Sequence, residues 1–194
     1  DSGQYLMREI IKKRIHKKEI YTLKDSFVNA IKKSIQSLKI NDPFLLSTLL
    51  KIPGLTELEA LFEKVDPITI YKESLNFQVS IGIEILEDLR ILSENVLVNI
   101  NQKWPNGRGE RKLLGTIWSY LVLAGDSKAK RNCVDSISHS SMTIARAALE
   151  ALKPIDSNET EEASNLFYNL WKDNPVVLDS WFAYEASRSG KNVI

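Results

Sequence analysis

"DPFLLSTLLKIPGLTELEALFEKVDPITIY", residues 42–71, decides the fold class, because it shows how the chain starts and stops its secondary structure. Asp42-Pro43 and Asp66-Pro67 each stand directly before an apolar periodic stretch. A carboxylate at a helix N-cap accepts an otherwise orphaned backbone N–H, and proline at the first helical position gives up no hydrogen bond. Asn174-Pro175 repeats the device. Between the two Asp-Pro pairs, Pro53-Gly54 stops the first short helix, and Thr56 with Glu59 has the spacing of a capping box.

Outward from this stretch the same grammar continues. Phe27, Val28, Ile31, Ile35 and Leu38 recur at helical spacing, and strand-like alternation of comparable length is hard to find. Asn158 with Glu161 marks a further start. Lys153-Pro154 ends the helix containing Ala147 to Leu152, and Trp104-Pro105-Asn106-Gly107 breaks the long stretch that begins at Pro67. Cap and breaker signals together give about ten helices joined by short loops. Short loops make successive helices antiparallel neighbours. Tetratricopeptide and ankyrin patterns are absent. The expected fold is all-α: antiparallel helix pairs stacked as an irregular superhelix, an armadillo- or HEAT-like solenoid, over a single helical domain spanning residues 1–194.

Composition narrows the function classes. With 26 Lys+Arg against 25 Asp+Glu and 43% hydrophobic residues, the chain lacks the basic excess of a nucleic-acid binder. The densest basic cluster, Lys12, Lys13, Arg14, Lys17 and Lys18, alternates with Ile10, Ile11 and Ile15 and reads as a solvated face beside a buried one. Apolar runs such as Trp118 to Ala124 fall far short of the roughly 20 residues that span a bilayer, so no membrane segment is expected. One cysteine, Cys133, forms no internal disulfide, which suits a reducing cytoplasmic compartment. The first residue is Asp1, and the chain reads as a piece cut from a longer protein.

No catalytic constellation emerges from the residues. His16 and His139 are distant in sequence, and with Cys133 they form no spaced set of zinc ligands. Ser138-His139-Ser140-Ser141 is a polar loop rather than a nucleophile with its base, since adjacent residues do not face each other on a helix. Asn106-Gly107-Arg108-Gly109 lacks the remaining glycine of a dinucleotide fingerprint and the lysine of a P-loop, and reads as a turn. In "WKDNPVVLDSWF", residues 171–182, Val177, Leu178, Trp181 and Phe182 share one face, and Leu166, Phe167, Leu170 and Trp171 line the helix before it. Two such faces across a tight turn form a helix-helix seam. Full burial of Trp181 would make its replacement by alanine cost roughly 3 to 5 kcal/mol.

A resemblance carries the reading further. The segment from Trp171 to Ala186 resembles a pattern of aminopeptidase N, the bacterial-type zinc alanyl aminopeptidases, of the form W-x-x-x-x-L-V-x-D-K-W-F-x-x-Q-A. Trp171, Val177, Asp179, Trp181, Phe182 and Ala186 match it, whereas Val176, Ser180 and Glu185 replace its leucine, lysine and glutamine. Residues 42–71 are similar to a second, collinear block, D-P-A-L-x-A-x-x-L-x-L-P-S-E followed by D-P-I-x-I. Asp42, Pro43, Leu50, Pro53, Asp66, Pro67, Ile68 and Ile70 match, and Gly54 replaces a serine. "DSGQYLMREIIKKRI", residues 1–15, is more weakly similar to the segment that enters the same domain.

The resemblance implies a noncatalytic fragment, truncated at both ends, of the C-terminal helical domain of a zinc metallopeptidase that removes N-terminal residues from peptides. In that family the domain closes over the active site and limits access to it. Zinc belongs to the parent's catalytic domain, held by His-Glu-x-x-His, which is absent here together with Gly-x-Met-Glu-Asn. No catalytic, cofactor-binding or metal residue is therefore carried over. Asp42, Pro43, Asp66, Pro67, Trp171, Asp179, Trp181 and Phe182 are implied as architectural motif residues. The implied partners are the catalytic and β-sandwich domains of the same parent chain and its peptide substrates, with self-association expected of the isolated piece. The alternative is a free-standing helical-repeat scaffold for another protein.

Overall fold

The structure, a computed structural model, describes residues 2–17, 21–38, 41–64, 66–98, 100–101 and 106–189. The side chain of Leu38, Lys18 and the Trp104-Pro105 break lie outside what is described. Among the described residues eleven helices follow in order: α1 (Ser2–Ile15), α2 (Tyr21–Leu38), α3 (Pro43–Leu50), α4 (Leu55–Glu59), α5 (Pro67–Glu84), α6 (Leu86–Val98), α7 (Arg108–Leu123), α8 (Ser127–Ser136), α9 (Met142–Leu152), α10 (Asn158–Trp171) and α11 (Pro175–Glu185). No strand occurs among the described residues.

The proline-marked starts are made by their caps. Asp42 accepts the Leu45 N–H, Asp66 accepts those of Ile68 and Thr69, and Asn174 accepts that of Val177, each with proline at the first position. Two other starts differ from expectation. Gly54 caps α4 without a side-chain bond, so Thr56 already lies inside the helix and the box with Glu59 is not formed. Ser157 caps α10 by accepting the Thr160 N–H, which makes Asn158 the first helical residue. The stretch from Pro67 also divides at Ile85 (φ −116°, ψ 21°) into α5 and α6.

Burial fixes how these helices stack. On α9, Ile144, Ala145, Ala148, Leu149, Ala151 and Leu152 are buried, a broad stripe at helical spacing. α7 buries a broad apolar surface, with Leu113, Leu114, Ile117, Trp118, Tyr120, Leu121 and Val122 all buried, and leaves Lys112, Thr116 and Ser119 on one side. With so broad a buried surface, α7 packs against α3, α5, α6, α8 and α9. Its C-terminus closes with the Asp126 N–H on the Leu121 carbonyl and the Gly125 N–H on that of Val122, with Gly125 left-handed at φ 85°.

The pairs α6/α7, α8/α9 and α10/α11 form successive hairpins. Along one layer, α8 bridges its neighbours: Lys128 pairs with Glu94 of α6 at 2.7 Å, and Arg131 with Glu162 of α10 at 2.9 Å. In the other layer α3, α7 and α9 lie side by side. Ser47 Oγ meets Thr116 Oγ1 at 3.1 Å, Tyr120 Oη donates to the Leu50 carbonyl at 2.7 Å, and Gly115 lies against Ala147. Pro43 and Phe44 meet Gly109 at the opposite end, where Thr143 lies near Arg111 and Lys112, so residue numbers rise together and the three helices are parallel. This is the stacking of an armadillo-type solenoid.

Candidate functional site

The aromatic stretch at residues 171–182 forms a seam, but a shallower one than expected. Phe167 and Tyr184 are buried, and Trp171, Val177 and Trp181 are partly buried against the core. Leu166 and Leu170, one turn apart, remain exposed, and Phe182 is 55% exposed. Trp181 packs tilted against Tyr168 at 4.7 Å and edge-on against Phe182 at 5.2 Å between ring centres. Its Nε1–H donates to Ser164 Oγ at 3.0 Å, and Ser164 in turn donates to Glu185. Arg188, nearly buried, ties Glu185 at 2.8 Å to Glu161 at 2.7 Å. The sequence reading missed this polar core of the seam; its signal was Glu185 three residues before Arg188.

The other motif residues hold helix starts and close contacts. Asp66 has its pKa lowered by the Ile68 N–H and the Thr69 hydroxyl. Pro43 packs on Gly109. Asp179 is exposed on α11. The residues weighed for chemistry are structural. Cys133 is buried, and burial pushes its thiol pKa up, away from reactivity. His139 Nδ1 accepts the Ser141 N–H at 2.9 Å, so Nε2 carries the proton and faces Asn101 Oδ1 at 2.9 Å. Burial, with Arg111 nearby, lowers its pKa and keeps it neutral. In the basic cluster of α1, Ile10 and Ile11 are buried, and Arg14 pairs with Glu73. Among the described residues no group of His, Cys, Asp and Glu can hold a metal ion, and no helix is long and apolar enough to cross a membrane.

A concavity lies elsewhere, on the outer surface of the parallel layer. A hollow of about 520 Å³ runs along α7 between α3 and α9, with Ser47, Thr116, Ser119, Ala147 and Glu150 among its lining residues. It shares Arg111, Lys112 and Thr143 with a second hollow of about 320 Å³, completed by Phe44 and Arg108. These form one groove, with Arg108, Arg111 and Lys112 at the end where the three helices begin and Lys51 at the other. Sequence reading took residues 106–109 only as a turn. The available signal was Arg108, Arg111 and Lys112 in the opening turns of a helix, where the dipole favours acidic residues.

With the stacking and the groove described, comparison with known proteins places the chain. The family described as "Domain of unknown function (DUF3458_C) ARM repeats" matches residues 1–194. The chain belongs to that family. Aminopeptidase N of Caulobacter vibrioides is 21% identical to the DUF3458_C chain over 196 residues, covering 95% of this chain and 22% of the relative. Aminopeptidase N of Escherichia coli is 23% identical over 155 residues, covering 79% and 18%. The crystal structure of Legionella pneumophila aminopeptidase A in complex with aspartic acid superposes with a TM-score of 0.78 at 21% identity, covering 99% of this chain and 24% of that one. The chain thus spans a quarter or less of the length of these relatives, and it is homologous to the C-terminal helical domain of aminopeptidases.

Proposed function

We propose that residues 1–194 form one noncatalytic helical unit in the wall of a peptidase chamber, within a zinc aminopeptidase that removes N-terminal residues from peptides. The observation that carries this reading is the family match over the whole chain, together with the helical superposition on an aminopeptidase of which it covers about a quarter. On this reading the domain limits which substrates reach the catalytic centre, and its partners are the catalytic and β-sandwich domains of the same parent chain. Zinc would be held elsewhere in that parent, since the described residues here offer no donor set that fits it. Asp42, Pro43, Asp66 and Pro67 serve architecture by holding the entries of α3 and α5, and Trp171 and Trp181 by packing in the α10–α11 seam, whereas Asp179 and Phe182 are exposed on α11. The exposed Leu166, Leu170 and Phe182 support continuation of the superhelix against further parent helices.

The test is complementation. The upstream part of the parent is assayed for hydrolysis of an alanyl fluorogenic substrate, with and without this chain, alongside co-elution on gel filtration. A faster rate and a shared elution peak are expected. Independent elution and an unchanged rate, with circular dichroism showing both parts folded, would overturn the reading and favour a free-standing scaffold.

A further inference from the structure

We infer that the groove along α3, α7 and α9 is a binding site for a short peptide with a free C-terminal carboxylate, the carboxylate lying at the Arg108–Lys112 end. The oxyanion site stands on the groove alone; the peptide as occupant rests on the peptidase reading above.

The charge arrangement comes first. Arg108 and Lys112 are exposed one turn apart on α7, and Arg111 is buried beside them with Nη2 donating to the Asn106 carbonyl at 3.0 Å. Arg8, Arg14, Arg90, Arg131 and Arg188 each have a carboxylate partner, whereas Arg108 and Lys112, like Arg146, have none within ion-pair distance among the described residues. Lys112 Nζ instead sits 5.6 Å over the Phe44 ring. These cations crowd the N-terminal end of three parallel helices, whose dipoles already make that end positive. The caps of α7 and α9, Gly107 and Ser141, supply no side-chain acceptor to their first N–H groups. Asp42 at α3 is turned onto the Leu45 N–H. Glu110 stands two residues from both Arg108 and Lys112, on another side of α7. An oxyanion relieves this repulsion, and the planar Arg108 fork suits a carboxylate.

The body of the groove selects what is attached to that anion. Gln78 Nε2 donates to Ser119 Oγ at 2.9 Å, Ser119 donates to the Thr116 carbonyl at 2.8 Å, and Thr116 donates to the Lys112 carbonyl at 3.2 Å. Ser47 is then the donor to Thr116. With their protons committed, the Thr116 and Ser119 hydroxyls offer lone pairs, and the far end holds both Lys51 and the Glu150 carboxylate, which lies 3.6 Å from Lys153 Nζ. The floor therefore accepts N–H groups, which peptide amides supply. From the level of Thr143 to that of Glu150, seven helical residues cover about 10 Å, a span that about three extended residues fill.

Calorimetric titration of this chain with Ala-Ala-Ala, its C-terminal amide and inorganic phosphate tests the site. The acid is expected to bind, the amide at least tenfold more weakly, and binding of the acid is expected to fall at least tenfold in the surface double variant Arg108→Gln/Lys112→Gln, with circular dichroism unchanged. No binding of the acid, equal binding of acid and amide, or phosphate binding as well as the peptide would each overturn the proposal. Failure here leaves the complementation result intact, and failure of complementation leaves this titration intact, so the two readings fall separately.

Discussion

Asp126 has two roles at the start of α8. Its carboxylate accepts the Ala129 N–H at 2.7 Å as the helix cap and the Arg90 Nε–H at 2.6 Å from α6. Burial pushes its pKa up, but the Ala129 N–H and Arg90 outweigh that and hold it below the ordinary carboxylate value. A depressed folded pKa stabilises above the unfolded value and is lost as pH falls through the folded one, here below about pH 4. Asp126→Asn keeps a cap acceptor and loses the charge, at a cost of about 1–2 kcal/mol at pH 7. Urea unfolding is expected to show that difference shrinking below pH 4. A difference constant from pH 7 to pH 3 would contradict the assignment. Trp181 is a half-buried ring whose indole N–H has one partner, Ser164. Its replacement by alanine is therefore expected to cost about 1–3 kcal/mol, less than a fully buried tryptophan. Trp181→Phe removes the hydrogen bond, worth about 0.5–1.5 kcal/mol, together with part of the ring's packing area, and equal midpoints for wild type and both variants in denaturant would refute the packing role. Glu185, where the aminopeptidase pattern has glutamine, is explained locally: its carboxylate pairs with Arg188.

Helix starts show which signals are local. Asp42, Asp66 and Asn174 were legible because each cap needs only its own side chain, a following proline and an N–H two or three residues ahead. Thr56 failed because Gly54, extended at φ −66° and ψ 156°, begins α4 first. The break at Ile85 carries no glycine or proline of its own. Ile85 is fully buried, and three residues earlier Gly82 lies against the Tyr120 carbonyl, a contact that sequence distance conceals. Gly109 shows the same dependence on a distant element. A Cβ there would stand 2.6 Å from Pro43 Cγ and 3.0 Å from Phe44 Cδ2, forcing α3 away from α7. Alanine raises helix propensity, yet Gly109→Ala is expected to destabilise by about 1–3 kcal/mol through this overlap. Thermal unfolding decides the sign: a raised melting temperature would mean that propensity wins and that the α3–α7 contact yields freely.

At the scale of the molecule, the solenoid was legible and the groove was not, for one reason. Stacking follows from helices with one apolar face and short loops, which each stretch of sequence displays by itself. The groove exists because Phe44, Arg108, Lys112 and Thr143, from three helices scattered along the chain, share one end of a parallel layer. The same layering predicts uneven stability. α7 is enclosed by α3, α5, α6, α8 and α9, and Leu113, Leu114, Ile117 and Trp118 are fully buried. α11 rests mainly on α10, with Tyr184 its one buried residue and, just beyond its end, the Ser189 N–H on the Lys153 carbonyl as a backbone tether among the described residues. In a stack where each unit is stabilised by its neighbours, opening costs least at an end. Native-state amide exchange is therefore expected to be slowest in α7, approaching the global unfolding free energy, and faster by orders of magnitude in α11. Equal protection of α7 and α11 would show a single cooperative unit instead of a nearest-neighbour stack. Protection of α11 that rises when the upstream part of the parent is added would place this end of the superhelix against that part.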